Sequence, residues 1–188
     1  MQTVDFHLAQ AWLQCRGLDL STQGFYILPE VAGAWELRLP PSPTGRVALA
    51  RDLTAISGTW VQGFQGGLCW LREWDRWTAD LEAVGYALLM ALRGTGDDRR
   101  ELRERPGVLF EAGEQLQCAA CLGLAMLFEW DACYAPALGD FWVFSGHDGY
   151  VLVFCRTAQR YQEMGRFLAH WQTSAARESA YARVTAGY

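Results

Sequence analysis

The sequence predicts a single α+β domain over residues 1–188, an antiparallel sheet carrying three to four helices. Three observations point there. Short β-rich runs broken by Gly and Pro fill the first third, the apolar period changes to three and four residues from Trp74, and a hairpin returns at 141–154. With 51% apolar and 20% charged residues the chain can bury one core, and no stretch reads as a linker or an internal repeat.

Taken in order, Val4, Leu8, Ala11, Trp12 and Cys15 recur three or four apart and suit a short helix that Gly17 ends. Phe25–Leu28 and the alternating run Ala34–Leu39 read as strands, the second stopped by Pro40, Pro41 and Pro43. Val47-Ala48-Leu49 and Thr59-Trp60-Val61 read as two more. Residues 1–70 are therefore expected to be mostly strands, and 71–188 helices plus the hairpin.

Trp74, Trp77, Leu81, Val84, Leu88 and Leu92 form one apolar stripe and predict a helix buried on that side, closed by Gly94 and Gly96. The charged run Asp97–Arg105 is mixed in sign and reads as a solvated loop or helical turn. Glu111–Trp130 is expected to be a helix with acids in its first turn. It is apolar on every face from Cys118 to Phe128, which predicts central burial. Phe141–Phe154 is a hairpin turning at Gly146, Asp148 and Gly149, with strands apolar enough for the sheet interior. A last helix from Thr157 to Ser174 puts Tyr161, Met164, Phe167, Leu168 and Trp171 on one face.

Sixteen basic against twenty-one acidic side chains give a formal charge of −5. That argues against nonspecific binding to nucleic acid or anionic membranes, which needs clustered positive charge. All the cations are arginine, with no lysine or asparagine, a bias expected of a GC-rich bacterial genome. The N-terminus lacks a basic segment followed by an apolar run, and no stretch reaches the roughly eighteen apolar residues of a membrane span. The expected location is cytoplasmic, with the six cysteines reduced.

Cys118 and Cys121 form a C-x-x-C in mid-helix, where no dipole lowers a thiol pKa and no second ligand pair stands at zinc spacing. They read as core residues, and no metal or cofactor is expected. Gly63-Phe64-Gln65-Gly66-Gly67 lacks the Lys and Ser/Thr of a phosphate loop. Trp60 and Trp70 sit near glycine-rich loops and either stand exposed for a partner or fill the core. Of the three histidines, His170 reads as a half-buried packing residue. His147 stands in the hairpin turn beside Asp148, where a carboxylate can orient an imidazole. Glu129 and Asp131 end a helix, where the dipole disfavours acids. Each either pairs with an arginine or is exposed for a partner.

The segment Leu124–Asp131 followed by Phe141–Tyr150 resembles small bacterial immunity proteins of polymorphic and contact-dependent toxin systems, in which a helix ending in an aromatic–acid pair precedes a hairpin with a Ser-x-His-Asp-type turn. The resemblance covers the last third of the chain. It implies a non-enzymatic partner protein that binds and blocks one cognate toxin, and the acidic balance agrees with basic toxins. The partner-binding residues expected are Glu129, Asp131, Asp140, His147, Asp148 and Tyr150, with charge reversal at Asp131 and Asp148 weakening binding while sparing the fold. The alternative is a small hydrolase or transferase using His147 with a nearby carboxylate or thiol. Oligomeric state is not legible.

Overall fold

Side chains buried on both faces of one sheet build the centre of the molecule. The computed structural model describes residues 1–20, 26–27, 31–56, 63–72, 79–94, 99–171 and 173–175. Among these the strands are β1 (Gln2–Val4), β2 (Asp19–Leu20), β3 (Tyr26–Ile27), β4 (Gly33–Arg38), β5 (Gly67–Arg72), β6 (Gly107–Phe110), β7 (Asp131–Pro136), β8 (Phe141–Gly146), β9 (Tyr150–Cys155) and β10 (Thr173–Ala175). The helices are α1 (Phe6–Gln14), α2 (Pro43–Ala55), α3 (Ala79–Arg93), α4 (Arg99–Glu104), α5 (Gln115–Leu127) and α6 (Ala158–Phe167), the last followed by a 3-10 turn at Leu168–His170. Eight strands pair in the order β1-β6-β5-β7-β8-β9-β4-β10, every pair antiparallel. β2 and β3 form a separate small ladder.

The period-2 alternation of the central strands sends Cys69, Tyr134, Phe141, Val143, Val151 and Val153 to one face, where helices α2 to α6 cover them. Trp70, Cys133, Trp142, Phe144, Leu152 and Phe154 go to the other face, under α1. β7, β8 and β9 are buried along their whole length, so the hairpin lies inside the sheet as its composition predicts.

Several expectations are corrected. Val47–Leu49 belongs to α2, not to a strand; Ser42 caps that helix by accepting from the Gly45 N–H, Pro43 opens it, and Leu49, Ala50 and Leu53 fall on one buried side. Thr59–Val61 lies outside the described residues. The first seventy residues therefore hold two helices as well as strands. Six helices are described rather than three or four, and β5, β6 and β7 were not anticipated. The final helix stops at Phe167, and Thr173–Ala175 adds an edge strand to β4. His170 is exposed rather than half-buried, with its Nε2 3.3 Å from an Asp52 carboxylate oxygen, whereas Trp70 takes the core-filling option.

The central helix is shorter and less enclosed than 111–130. It spans Gln115–Leu127 and packs on α2, where Ala50 and Gly123 let the two axes approach. Cys118, Cys121, Leu122, Ala125 and Met126 are buried, whereas Leu116 and Ala120 face outward. No helix among the described residues is long and apolar enough to cross a membrane.

Among the described residues all six cysteines are free thiols. Burial pushes Cys69 well above the usual thiol range and Cys155 up to about 12, and the Cys69 thiol together with burial raises Cys121. Because these folded-state values exceed the unfolded ones, the stability they contribute is complete below the unfolded thiol pKa and is lost as pH rises toward the folded values. Stability should fall by about 1.4 kcal/mol per pH unit for each such thiol above about pH 9. Urea midpoints across that range test this, and Cys155→Ala should flatten the slope.

A pinned hairpin tip as the candidate functional site

The site begins where α5 ends. The Trp130 N–H donates to the Ala125 carbonyl at 2.9 Å, the six-to-one closure of a helix C-terminus, and Glu129 takes the left-handed conformation this needs (φ 53°). Arg46 of α2 completes the cap. Its guanidinium donates to the Met126 and Leu127 carbonyls at 2.9 and 3.3 Å and to Glu129 Oε1 at 2.8 Å. Arg46→Ala should therefore cost about 2 kcal/mol, read as a lowered denaturation midpoint. Glu129→Gly should cost far less, because glycine relieves the backbone that the lost pair had offset.

From that cap the chain runs directly into β7, whose first residue is Asp131. The register sets Ala132 opposite Ser145, so Asp131 lies beside the turn that joins β8 to β9. That turn closes with the Gly149 N–H donating to the Gly146 carbonyl at 3.2 Å, and Gly149 has a φ of 78°. Gly146 is needed for close approach, since a Cβ there would lie 2.8 Å from the Tyr150 ring. The Gly149 carbonyl in turn accepts from the Leu39 N–H at 2.9 Å, which ties the tip to the end of β4.

Asp131 is 6% exposed and holds His147 twice. Its Oδ1 accepts from the His147 backbone N–H at 2.9 Å and from the ring Nδ1 at 2.8 Å. An ionised carboxylate only accepts, so the pair places the ring proton on Nδ1 and directs Nε2 away, 3.5 Å from Asp148 Oδ1. Asp148 is the outermost group, 57% exposed. Arg72, on β5, stands opposite Asp131 in the register.

The six residues expected at the interface thus separate. Asp131, His147 and Asp148 come together at the tip. Tyr150 is adjacent but buried, its ring over Gly146 and tilted against Phe144 at 6.1 Å. Glu129 takes the arginine-paired option. Asp140 lies at the opposite end of β8, 3.0 Å from Arg160 Nε; burial raises its carboxyl pKa, and the Arg160 guanidinium opposes the rise. Asp131 reversal would strike the turn itself, not a surface charge alone. Arg46 and Arg72 escaped sequence reasoning, because Arg46 meets Glu129, and Arg72 comes to lie opposite Asp131 in the register, across more than fifty intervening residues.

Among the described residues no three His, Cys, Asp or Glu side chains are placed to hold a metal ion. Cys133, the thiol nearest His147 along β7 and β8, is buried on the α1 face. The fold and site define an α+β domain of one antiparallel sheet whose central hairpin presents an imidazole–carboxylate tip. The chain matches no protein-family model, no curated protein and no solved structure.

Proposed function

We propose that the protein is a non-enzymatic binding module of the immunity or inhibitor type, which docks onto a cognate toxin through the hairpin tip and blocks it. The observation that supports this reading is the double hold of Asp131 on His147. A turn fixed by its backbone N–H and its ring at once presents Asp148 in one arrangement before any partner arrives, which lowers the ordering cost of binding. The formal charge of −5 suits a basic partner by speeding encounter. In this reading Asp148 and the outer edge of His147 make contact. Asp131 and Tyr150 hold them in place, and Glu129 and Asp140 serve the fold.

The test is calorimetric titration of a protein captured by this chain from its source cells and then purified. Asp148→Arg should weaken binding at least about tenfold, through lost charge complementarity, with the far-UV spectrum unchanged. Glu163→Gln, at a part-exposed position of α6 away from the tip, should leave affinity as it was. Equal affinity for the wild type and Asp148→Arg would remove the tip from the interface.

The Nδ1–Asp131 pair also favours a second reading, a hydrolase or transferase in which the same carboxylate orients His147 as a general base. Ester or phosphodiester turnover that His147→Ala abolishes, and a titratable rate, would support catalysis over docking.

A further inference from the structure

His147 has a carboxylate at each ring nitrogen. Asp131 Oδ1 lies 2.8 Å from Nδ1, and Asp148 Oδ1 lies 3.5 Å from Nε2. The two acids differ in freedom. Asp131 is buried at the start of β7, and the same oxygen also holds the His147 backbone N–H, whereas Asp148 is exposed on the turn. The ring is 20% exposed, enough for water to deliver and remove a proton.

With its one proton on Nδ1, the neutral ring turns the lone pair of Nε2 toward Asp148, and two acceptors cannot bond. Asp148 then keeps its charge for a partner. A second proton reverses this. It goes to Nε2, because Nδ1 already carries one, and the new N–H faces Asp148 Oδ1. Closing from 3.5 Å to about 2.8 Å makes a charge-assisted hydrogen bond. The outward charge of the tip then falls from the single negative charge of Asp148 to none. The flanking strands add fixed cations: Arg72 on β5 stands opposite Asp131, and Arg38 on β4 stands opposite Tyr150, which itself faces Gly146. Guanidinium stays charged throughout, whereas imidazole changes charge between about pH 8 and 5.

We infer that His147 gates the docking surface by protonation: the neutral ring leaves Asp148 available to a basic partner, and the imidazolium captures it. The inference rests on the docking proposal and adds its regulation, release of the partner on acidification. Two effects act in the same direction. The carboxylate that the partner would use is already engaged, and the outer edge of the ring beside it has become cationic, which repels a basic surface. The buried Asp131 keeps the ring in place in both states, so the tip switches charge without losing its shape.

Nuclear magnetic resonance of the isotope-labelled full chain tests the gate with no partner present. Between about pH 8 and 5 the Asp148 carboxyl carbon should move in step with the His147 ring nitrogens. In Asp148→Asn the ring should take up its proton about 0.5 pH unit lower, as expected for loss of an exposed ion pair. An Asp148 carboxyl blind to the ring, or a ring indifferent to Asp148→Asn, would overturn the inference and leave the docking proposal standing. The second arm measures affinity for the captured and purified protein at pH 8 and 5.5. The wild type should lose at least about tenfold on acidification, and His147→Gln, whose backbone N–H Asp131 still holds, at least about fivefold less. Groups that titrate on the partner act on both variants and cancel in that comparison. Equal losses in the two, with Asp148→Arg still weakening binding at pH 8, would overturn the gate alone. Equal affinity of wild type and Asp148→Arg at pH 8 would remove the docking surface and the gate with it.

Discussion

Asp131→Ala is expected to destabilise the protein by about 3 kcal/mol, since it strands two donors that one carboxylate oxygen satisfies. For a chain of this size that is a fall of about 9 °C in Tm. The loss has a location as well as a size. The His147 backbone N–H belongs to the β8–β9 turn, so hydrogen exchange at 147–149 should accelerate more than in β8 and β9 themselves. Asp131→Asn keeps an acceptor oxygen of the same shape and should lose about 1 kcal/mol. Alanine and asparagine variants of equal stability would mean that Asp131 does not hold the tip.

Gly66→Ala should cost about 4 kcal/mol, the largest effect expected of a single methyl group here. Gly66 has a φ of 98°, and a Cβ on it would lie 2.3 Å from the Phe110 carbonyl oxygen. That neighbour is backbone at the end of β6, so it cannot swing aside as a side chain would. The Gly66 carbonyl also accepts from the Ala137 N–H at 3.0 Å, so a displaced Gly66 loosens the entry to β5 and the exit from β7 together. Gly113→Ala is the contrast. It also has positive φ (93°), but nothing lies within 4 Å of the added carbon, so only backbone strain remains, about 1 kcal/mol. Chemical denaturation of both variants separates collision from strain.

The hairpin was legible because two long apolar runs flank a Gly-His-Asp-Gly turn, a pattern with no helical alternative. β7 was not. Its Asp-Ala-Cys-Tyr-Ala-Pro carries little β preference of its own and is a strand because β5 and β8 bind it on both sides. α2 was misread for a related reason. Prolines and glycines around Val47–Leu49 suggest short strands, and the Ser42-Pro43 start that marks a helix lay inside that same punctuation. In α3 the helix was legible and its buried side was not, since Tyr86, Leu89 and Met90 compete with Val84 and Leu88 on apolar character alone. Glycine at 85 decides it, by admitting the rings of Phe128 and Trp130.

At the site, sequence adjacency found His147 and Asp148 and the end of α5 found Asp131. What it could not supply was exposure. Glu129 and Asp140 look like Asp148 in the sequence and differ only by Arg46 and Arg160, which reach them from distant elements. Acids that stabilise the fold and an acid that faces solvent are told apart by partners, not by residue type.

Site-specific photocross-linking in the source cells tests the docking proposal most directly, with benzoylphenylalanine placed at position 148 and, for comparison, at exposed Leu138. The account predicts an adduct from 148 to one basic protein, absent from 138 and lost when Asp131→Ala frees the turn. Adducts from 138 but none from 148, or adducts from 148 that persist unchanged in Asp131→Ala, would contradict it.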